Sequence, residues 1–180
     1  MLNIRPYESR DAIAVFDVIR TVFDEYGFGW EPEGYCRDIY DVAQYYGGPD
    51  NSFWVGELDG CVSGCGGLLT FPHLPGPPGT LTEVEGQVRV GGADCELMRL
   101  YVLPEARGKG VGGGIVRAII AEARYRGCTL MEIWSDFNLK EAHAMYHRLG
   151  AVTVGERLCP PPDVAPEWGM LLNLVNGGER

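Results

Sequence analysis

The chain has 180 residues, which is enough for one domain with a substantial hydrophobic core. Its 15 basic and 25 acidic residues give a net charge of −10. That charge argues against nucleic-acid binding, because affinity for nucleic acids depends on the neutralisation of phosphates. The acidic balance suits a cationic substrate, although it serves solubility equally well.

The sequence also carries no sign of a membrane span, a signal peptide or a metal site. Its longest apolar runs are far shorter than the ~20 residues that cross a bilayer, and its first residues lack a basic region followed by an apolar one. The six cysteines form no CxxC pair and the three histidines have no ligand spacing. We therefore expect a cytoplasmic protein with reduced thiols, without a metal, that binds neither nucleic acid nor membrane.

Hydrophobic periodicity and turn residues predict alternating strands and helices. The clearest helix lies between Ser9, its predicted N-cap, and Gly27, with apolar residues at helical spacing: Ala12, Val15, Phe16, Ile19, Val22 and Phe23. Asp59-Gly60 is a strong hairpin signal, and Glu85-Gly86 marks a second, smaller hairpin. The predicted elements are strand 2–5, the first helix, helix 34–46, strands 52–58 and 61–70, hairpin 81–90, strand 96–102, helix 115–126, strand 129–135, helix 139–149, and strands 151–157 and 168–174. This order predicts one α/β domain over residues 1–180, with a mixed sheet and helices on both faces.

A glycine-rich loop before the third predicted helix is the main functional signal. Strand 96–102 leads through a loop with Pro104 into Arg107, Gly108, Lys109, Gly110, Val111 and Gly112. Glycines at the start of a helix let its first N–H groups point at an anion, and the helix dipole adds about half a positive charge there. The loop therefore predicts a pyrophosphate site.

Other interpretations of these glycines stay open at this point. Gly108-x-Gly110-x-x-Gly113 also fits the dinucleotide-binding fingerprint, but that motif places its first glycine directly at the strand end. A phosphate-binding P-loop requires Gly-Lys followed by Ser or Thr, whereas Lys109 is followed by Gly110. A turn without any ligand is the third alternative.

Two linked motifs resemble the GNAT superfamily of N-acetyltransferases. Arg107-x-x-Gly110-x-Gly112, after a strand and a Pro-containing loop, resembles its acyl-CoA signature. The stretch IWSDFNLKEAHAMYHRLGA resembles its second motif, which here carries Ala142, Tyr146, Leu149 and Gly150. The resemblance covers nearly the whole chain, except for an insertion at residues 71–92. It implies the GNAT fold, with a mostly antiparallel central sheet, and transfer of an acetyl group from acetyl-CoA to a small-molecule or peptide amine. It also allows a homodimer.

The resemblance assigns roles to the strand and the loop residue by residue. The Leu100 N–H would face the acyl oxygen, and Val102 would pair with the pantetheine arm beside Tyr101. The backbone from Arg107 to Gly112 would hold the pyrophosphate, as the residues themselves suggest.

Glu96 stands where some superfamily members carry a glutamate that acts as a general base. Strand alternation places Glu96, Met98, Leu100 and Val102 on one face. Glu96 and Leu100 would then be about 13 Å apart, so a base at Glu96 would need a chain of water molecules. The alternative is a structural glutamate that is solvated or paired with an arginine.

Tyr146 resembles the superfamily's general acid, a phenol that reaches the CoA sulfur, and its alternative role is core packing. Asn138 lies next to the position where the superfamily often has an asparagine that contacts the cofactor, so it either binds the cofactor or caps the helix. His143 lies one turn before Tyr146, as a proton relay or a structural histidine.

Two further functional classes remain as alternatives to an acetyltransferase. One is an acyl-CoA-binding module without catalysis, and the other is a dinucleotide-binding oxidoreductase. The acceptor is not identified by the sequence. We expect it to contact the variable parts of the chain, namely residues 11–46, 71–92 and 159–167, with aromatic residues that serve the core equally well: Tyr26, Phe28, Trp30, Tyr35, Phe71 and Trp168.

Overall fold

The computed structural model describes residues 1–162 and 164–175. Their helices and strands are β1 (Leu2–Pro6), α1 (Ala12–Tyr26), α2 (Val42–Tyr46), β2 (Asn51–Leu58), β3 (Cys61–Thr70), β4 (Leu81–Val84), β5 (Gln87–Val90), β6 (Cys95–Val102), α3 (Val111–Tyr125), β7 (Leu130–Asp136), α4 (Lys140–Arg148), β8 (Val152–Leu158) and β9 (Pro166–Asn173). Within these ranges, no helix is long and apolar enough to cross a membrane.

Seven strands form one sheet in the order β1-β2-β3-β6-β7-β9-β8, and β4 and β5 form a separate hairpin. Strands β6 and β7 run parallel, whereas the β1–β2, β2–β3, β7–β9 and β8–β9 pairs are antiparallel. The predicted mixed, mostly antiparallel sheet is therefore confirmed. The chain divides into two compact units, residues 1–69 with 98–121 and residues 70–97 with 122 onwards. That residues 1–180 form a single domain stays a prediction.

The first unit carries helices on both faces of its strands. A Cβ added to Gly67 would lie 2.7 Å from the Tyr46 ring of α2, so this side of β3 faces α2. On the other side, added Cβ atoms would lie 2.7 Å (Gly56) and 2.8 Å (Gly64) from Val111 Cγ1, and 2.9 Å (Gly66) from Ile115 Cγ2. Real Cβ atoms essentially never approach this closely. Helix α3 can therefore pack against these strands only because all three positions are glycine.

Helix α1 has the predicted extent but a different N-terminal cap. The chain enters it through a 3₁₀ turn, Ser9–Asp11, in which Glu8 and Asp11 form a reciprocal capping box. Ser9 is therefore not the cap, because Asp11 accepts the Glu8 N–H at 2.8 Å and is itself held by Arg5. At the other end Gly27 adopts a φ of 69°, as expected for a glycine that ends a helix.

The helix predicted over residues 34–46 is largely wrong. The structure has a 3₁₀ turn, Arg37–Asp41, followed by only five residues of α2. The Tyr35 carbonyl accepts a hydrogen bond from the Arg99 guanidinium. Asp41 caps the short helix, since its carboxylate accepts the Gln44 N–H at 3.1 Å. Side-chain contacts that periodicity does not encode thus replace the first turns of the predicted helix.

The second unit contains β7, β9, β8, the β4–β5 hairpin and α4.

Both hairpin turns predicted from the sequence are confirmed. Asp59 and Glu85 have positive φ, and each is followed by a glycine with positive φ. A small core of Val90, Ala93 and Leu171 lies under the β4–β5 hairpin in this unit. Gly127, with a φ of 82°, ends α3 as predicted.

Candidate active site

The glycine-rich loop opens α3 at Val111, four residues before the predicted start of that helix. Gly108 and Gly110 have φ values of 71° and 87°, in the left-handed region that favours glycine. Gly114 donates its N–H to the Gly110 carbonyl at 2.9 Å. The N–H groups of the first helical turn before it have no intrahelical acceptor.

The space in front of this loop is open. A Cβ at Gly108 would meet nothing within 4 Å, and one at Gly110 would meet only Leu2 Cδ2 at 3.6 Å. Free N–H donors, a helix N-terminus and missing side chains together fit the pyrophosphate of an acyl-CoA. The residues present therefore match the cofactor that the motif predicts.

Arg107 contributes to this loop differently from a simple phosphate ligand. Its Nη1 donates to Glu25 Oε1 at 2.7 Å, its Nη2 also contacts Glu25, and its guanidinium lies 5.7 Å from the centre of the Tyr26 ring. The Arg107 guanidinium holds the pKa of the Glu25 carboxyl below its usual value. Nε donates to the Val102 carbonyl at 3.2 Å, which ties the loop to the end of β6. Lys109, by contrast, is exposed.

Strand β6 is interrupted at Arg99. Its parallel pairing with β7 covers Cys95–Leu97, and Arg99 then adopts a φ of 52°, which costs a non-glycine residue about 1–3 kcal/mol. Met98 packs against the core beside α1 and α2, whereas Leu100 lies on the opposite side, 3.4 Å from a Cβ placed on Gly66. The predicted strict alternation is therefore wrong, because the left-handed residue rotates the strand between Met98 and Leu100.

The residues expected to contact the thioester follow this interruption. Leu100, Tyr101 and Val102 form the end of β6, and the Tyr101 ring packs edge-on against Phe23 at 5.5 Å. All three belong to the first unit, together with the glycine-rich loop. Glu96, Asn138 and Tyr146 belong to the second unit.

Glu96 lies in a buried group of charged side chains. It is 9% exposed and its Oε2 accepts a hydrogen bond from Arg89 Nη2 at 3.2 Å. The fully buried Glu132 accepts from Arg89 Nε at 2.5 Å, from the Val90 N–H at 2.8 Å and from Trp134 Nε1 at 3.0 Å. Glu96 is thus paired with an arginine rather than solvated.

This environment raises the pKa of Glu96 to about 7. Burial is the main cause, followed by the negative charge of Glu132, while Arg89 and Arg157 oppose the shift. Arg157 is itself paired with Glu167 at 2.9 Å. A carboxyl group that gains and loses its proton near neutral pH is suited to general base catalysis.

The partners of Glu96 were not predicted from the sequence. Arg89 comes from the inserted hairpin, where its guanidinium lies 4.8 Å from the centre of the Phe71 ring. Glu132 stands inside the apolar strand LMEIWSD, and a charged residue in such a strand is rarely buried without a partner. Glu132 within an apolar strand and Arg89 between two valines of the hairpin are the sequence features that could have predicted this ion pair.

Tyr146 is buried in α4, with 4% of its surface exposed. The cap residue of α4 is Leu139, without a side-chain cap, so the interpretation of Asn138 as the helix cap is wrong. His143 Nε2 lies 3.1 Å from Ser135 Oγ, and burial lowers the pKa of this histidine. That contact fits a neutral structural histidine.

In the part of the chain that the structure describes, one group of potential metal ligands lies outside the residues discussed so far. Side-chain atoms of Asp94, Cys95 and Cys128 all lie within 4.8 Å of one another. The Asp94 carboxylate already accepts the N–H groups of Thr129 and Leu130, and burial raises the pKa of both thiols. A thiolate is the metal-binding form of cysteine, so this group is better explained as packing between β6 and β7.

The profile of the acetyltransferase (GNAT) family matches residues 17–151. The uncharacterized N-acetyltransferase YjgM of Escherichia coli (strain K12) is 32% identical over 144 residues, which are 78% of this chain and 76% of that protein. N-acetyltransferase 8 of Rattus norvegicus is 26% identical over 120 residues, which are 66% of this chain and 48% of that protein. The chain therefore spans about half the length of the rat relative.

Solved structures show the same fold. An acetyltransferase of the GNAT family from Staphylococcus aureus Mu50 has a TM-score of 0.75 at 13% identity, over 97% of this chain and 99% of that chain. The structure of YncA from Salmonella typhimurium with its cofactor acetyl-CoA has a TM-score of 0.67 at 18% identity, over 99% of this chain and 96% of that chain. The family match also excludes the dinucleotide-binding alternative. The chain belongs to the GNAT family, and it is an N-acetyltransferase that uses acetyl-CoA.

Proposed function

We propose that this N-acetyltransferase transfers the acetyl group directly to a primary amine of a small molecule or peptide, with Glu96 as general base and Tyr146 as general acid. The observation that carries the proposal is the buried Glu96 carboxyl, whose pKa is about 7. An alkyl ammonium with a pKa of about 10.4 is only about 0.1% neutral at pH 7.4, so removal of its proton is a large part of the barrier. A base that titrates near neutral pH lowers this contribution to the activation barrier.

The chain's own groups hold and orient the cosubstrate. Backbone N–H groups from Gly108 to Gly112 bind the pyrophosphate next to Arg107, whose own N–H donates to the Pro104 carbonyl at 3.3 Å. The end of β6, with Tyr101 and Val102, binds the pantetheine arm. The Leu100 N–H polarises the acyl carbonyl, and Asn138 is assigned a cofactor contact. When bound, acetyl-CoA supplies an acetyl group as a thioester. The N–C bond of the product amide forms as the C–S bond breaks.

In this proposal one side chain accepts a proton and another donates one. Glu96 takes the proton of the amine through water, while Arg89 pairs with the neighbouring Glu132. The charge of Glu132 keeps the pKa of Glu96 high enough for a proton to be held near neutral pH. Tyr146 donates its phenolic proton to the departing sulfur. Because a thiol has a pKa of about 8.5, this acid helps the reaction without being obligatory.

Release of free thiol from acetyl-CoA with a panel of primary amines tests the proposal, alongside calorimetry with acetyl-CoA alone. We expect both binding and turnover. Binding of acetyl-CoA without thiol release from any amine would instead support an acyl-CoA-binding module without catalysis. A cytoplasmic location and a homodimer stay predictions of the sequence.

A further inference from the structure

The first unit contains a pocket that the roles assigned above do not use. Its volume is about 450 Å³, a size that suits a small molecule. Aromatic and apolar side chains line it, with Arg99 and Asp38 at one side: Tyr35, Tyr45, Tyr46, Leu69 and Met98. Arg99 directly precedes Leu100, whose N–H is proposed to face the acyl oxygen. The pocket therefore adjoins the stretch of β6 to which the thioester is assigned.

Arg99 is a buried cation whose hydrogen bonds are incomplete. Only 4% of its side chain is exposed. Its Nε and Nη2 donate to the two oxygens of Asp38 at 3.0 and 2.8 Å, and its guanidinium lies 4.3 Å from the centre of the Tyr35 ring. Nη1 has no hydrogen-bond partner among the described residues and exposes less than 1 Å². Bulk water therefore does not supply the missing acceptor, and a buried donor without one is costly.

The backbone of the same residue is strained. Arg99 is a non-glycine residue with a φ of 52° inside a strand, a conformation that persists only where the surroundings impose it. Asp38 is engaged on its other side as well, because the Tyr46 hydroxyl donates to its Oδ2 at 2.6 Å. Asp38 thus holds the guanidinium through Nε and Nη2, and Nη1 stays without an acceptor among the described residues.

The charge of the pocket opposes that of the chain. Arg37 and Arg99 supply two positive charges to its lining and Asp38 supplies one negative charge, which leaves an excess of +1 in a chain of net charge −10. A guanidinium nitrogen with free N–H groups in such surroundings is matched best by a carboxylate, because charge-assisted hydrogen bonds are about twice as strong as neutral ones. An acceptor with no charge besides its ammonium group finds no such partner here.

We propose that this pocket receives the carboxylate of the acceptor, so that the substrate class is amines that also carry a carboxylate, such as free amino acids. The inference rests on the proposed transfer to a primary amine. Arg99 lines the pocket, and its side chain must turn to bring Nη1, which exposes less than 1 Å², to one carboxylate oxygen. Arg37 adds a second positive charge, and the aromatic side chains contact the apolar part of the substrate.

A matched set of three acceptors tests the inference: phenylalanine, phenylalaninamide and phenethylamine. We expect kcat/KM for phenylalanine to exceed that for the other two by at least about tenfold, the effect of one charge-assisted hydrogen bond. Converting the carboxylate to the amide lowers the pKa of the amine, which makes the amide the better nucleophile at neutral pH. A preference for the acid over the amide therefore cannot come from the chemistry of the amine.

Variants locate the preference in this pocket. Arg37→Gln removes an exposed charge, so it should fold normally and reduce the preference for acid over amide several-fold. Arg10→Gln makes the same change at an exposed arginine outside the pocket and should leave the preference unchanged. Arg99→Lys keeps the charge but loses the planar fork, and it should abolish the preference; circular dichroism shows whether it folds.

The outcomes separate this inference from the proposed function. If phenethylamine or phenylalaninamide is acetylated as well as phenylalanine, the function holds and the carboxylate site is refuted. An equal loss for acid and amide in Arg37→Gln would refute it too. If no amine is acetylated, calorimetry with N-acetylphenylalanine and its amide decides: tighter binding of the acid, lost in Arg37→Gln, supports the pocket while the proposed function fails.

Discussion

Glu96 shows how one residue acquires chemistry from its surroundings. A solvated glutamate titrates near pH 4.5 and is too weak a base to collect a proton efficiently from an amine. Here burial and the charge of Glu132 raise the pKa of Glu96 to about 7, while Arg89 limits the shift. The same carboxyl at the same strand position would be an ordinary acid without burial and without the charge of Glu132 on β7.

Glu96→Gln should lower turnover at neutral pH and leave acetyl-CoA affinity nearly unchanged. In the wild type, the rate should rise as pH increases through about 7, since Glu96 must lose its proton to act as a base. The variant should lack that step and recover much of its rate at higher pH, where more amine is neutral without help. Thiol release across pH measures both, and identical profiles for the two proteins would show that the glutamate is structural.

Tyr146→Phe should slow the chemical step without changing acceptor or acetyl-CoA binding. Phenylalanine keeps the ring that packs in the buried site and removes only the phenolic proton. Tyr125→Phe is the matched control, because Tyr125 is 88% exposed on α3. Single-turnover kinetics on both variants give the result, and normal turnover of Tyr146→Phe would assign that tyrosine to the core.

Among the elements, the loop before α3 is the one whose glycines have a testable function. Gly110→Val places a side chain on a left-handed residue in front of the free N–H donors, and it should weaken CoA binding by well over tenfold. Gly127→Val imposes similar strain, since Gly127 has a φ of 82°, but at the other end of α3. Both variants should lose comparable stability, and only the first should lose CoA affinity in calorimetry.

An unchanged CoA affinity in a folded Gly110→Val protein would refute the assignment of the pyrophosphate site to this loop. Gly112→Val extends the test, because Gly112 lies within α3 and does not adopt a positive φ. Its effect on CoA binding should therefore appear without the backbone strain.

The elements also show which local signals were sufficient. Helix α1 and both hairpin turns follow from residues close in sequence, so periodicity and Asp-Gly or Glu-Gly pairs predicted them. The 3₁₀ turn before α2 and the interruption of β6 are joined by the ion pair between Asp38 and Arg99, which are 61 residues apart. Neither residue signals the other in a single sequence, so the predicted helix was too long and the predicted strand too regular.

For the site, the sequence identified the family and the loop but not the electrostatics. The resemblance to the superfamily named Glu96 and Tyr146 by position alone. The pKa of Glu96 depends on Arg89, Glu132 and Arg157, which come from three other strands. Burial and distance set such shifts, and both become known only when the strands are assembled.

For the molecule as a whole, the Glu96 environment predicts a particular dependence of stability on pH. An unfolded glutamate titrates near 4.5 and folded Glu96 near 7, so the folded chain holds more protons between these values. This contribution to stability is fully present below pH 4.5 and is lost as pH rises through 7, by at most about 3 kcal/mol. Asp11, whose pKa is lowered by Arg5, acts oppositely, since its contribution is lost in acid.

Glu96→Gln should therefore flatten the decline in melting temperature between pH 4.5 and 8. Glutamine resembles the protonated carboxyl, so the variant should match the wild type in acid and exceed it above pH 7. Glu83→Gln, at an exposed acid of the hairpin, serves as the control and should follow the wild-type curve. Parallel curves for wild type and Glu96→Gln would show that the folded pKa of Glu96 is not raised.

The glycine surface beneath α3 reverses a common rule of protein engineering. Replacing a strand glycine with alanine usually stabilises a protein, because glycine weakens a strand by roughly 0.5–1 kcal/mol. At Gly64 the new methyl group would lie 2.8 Å from Val111 Cγ1 and 3.1 Å from the Tyr101 carbonyl, so the first turn of α3 would have to move outward. Alanine at these glycines would thus disturb the loop proposed to bind the cosubstrate without replacing any residue assigned to that binding.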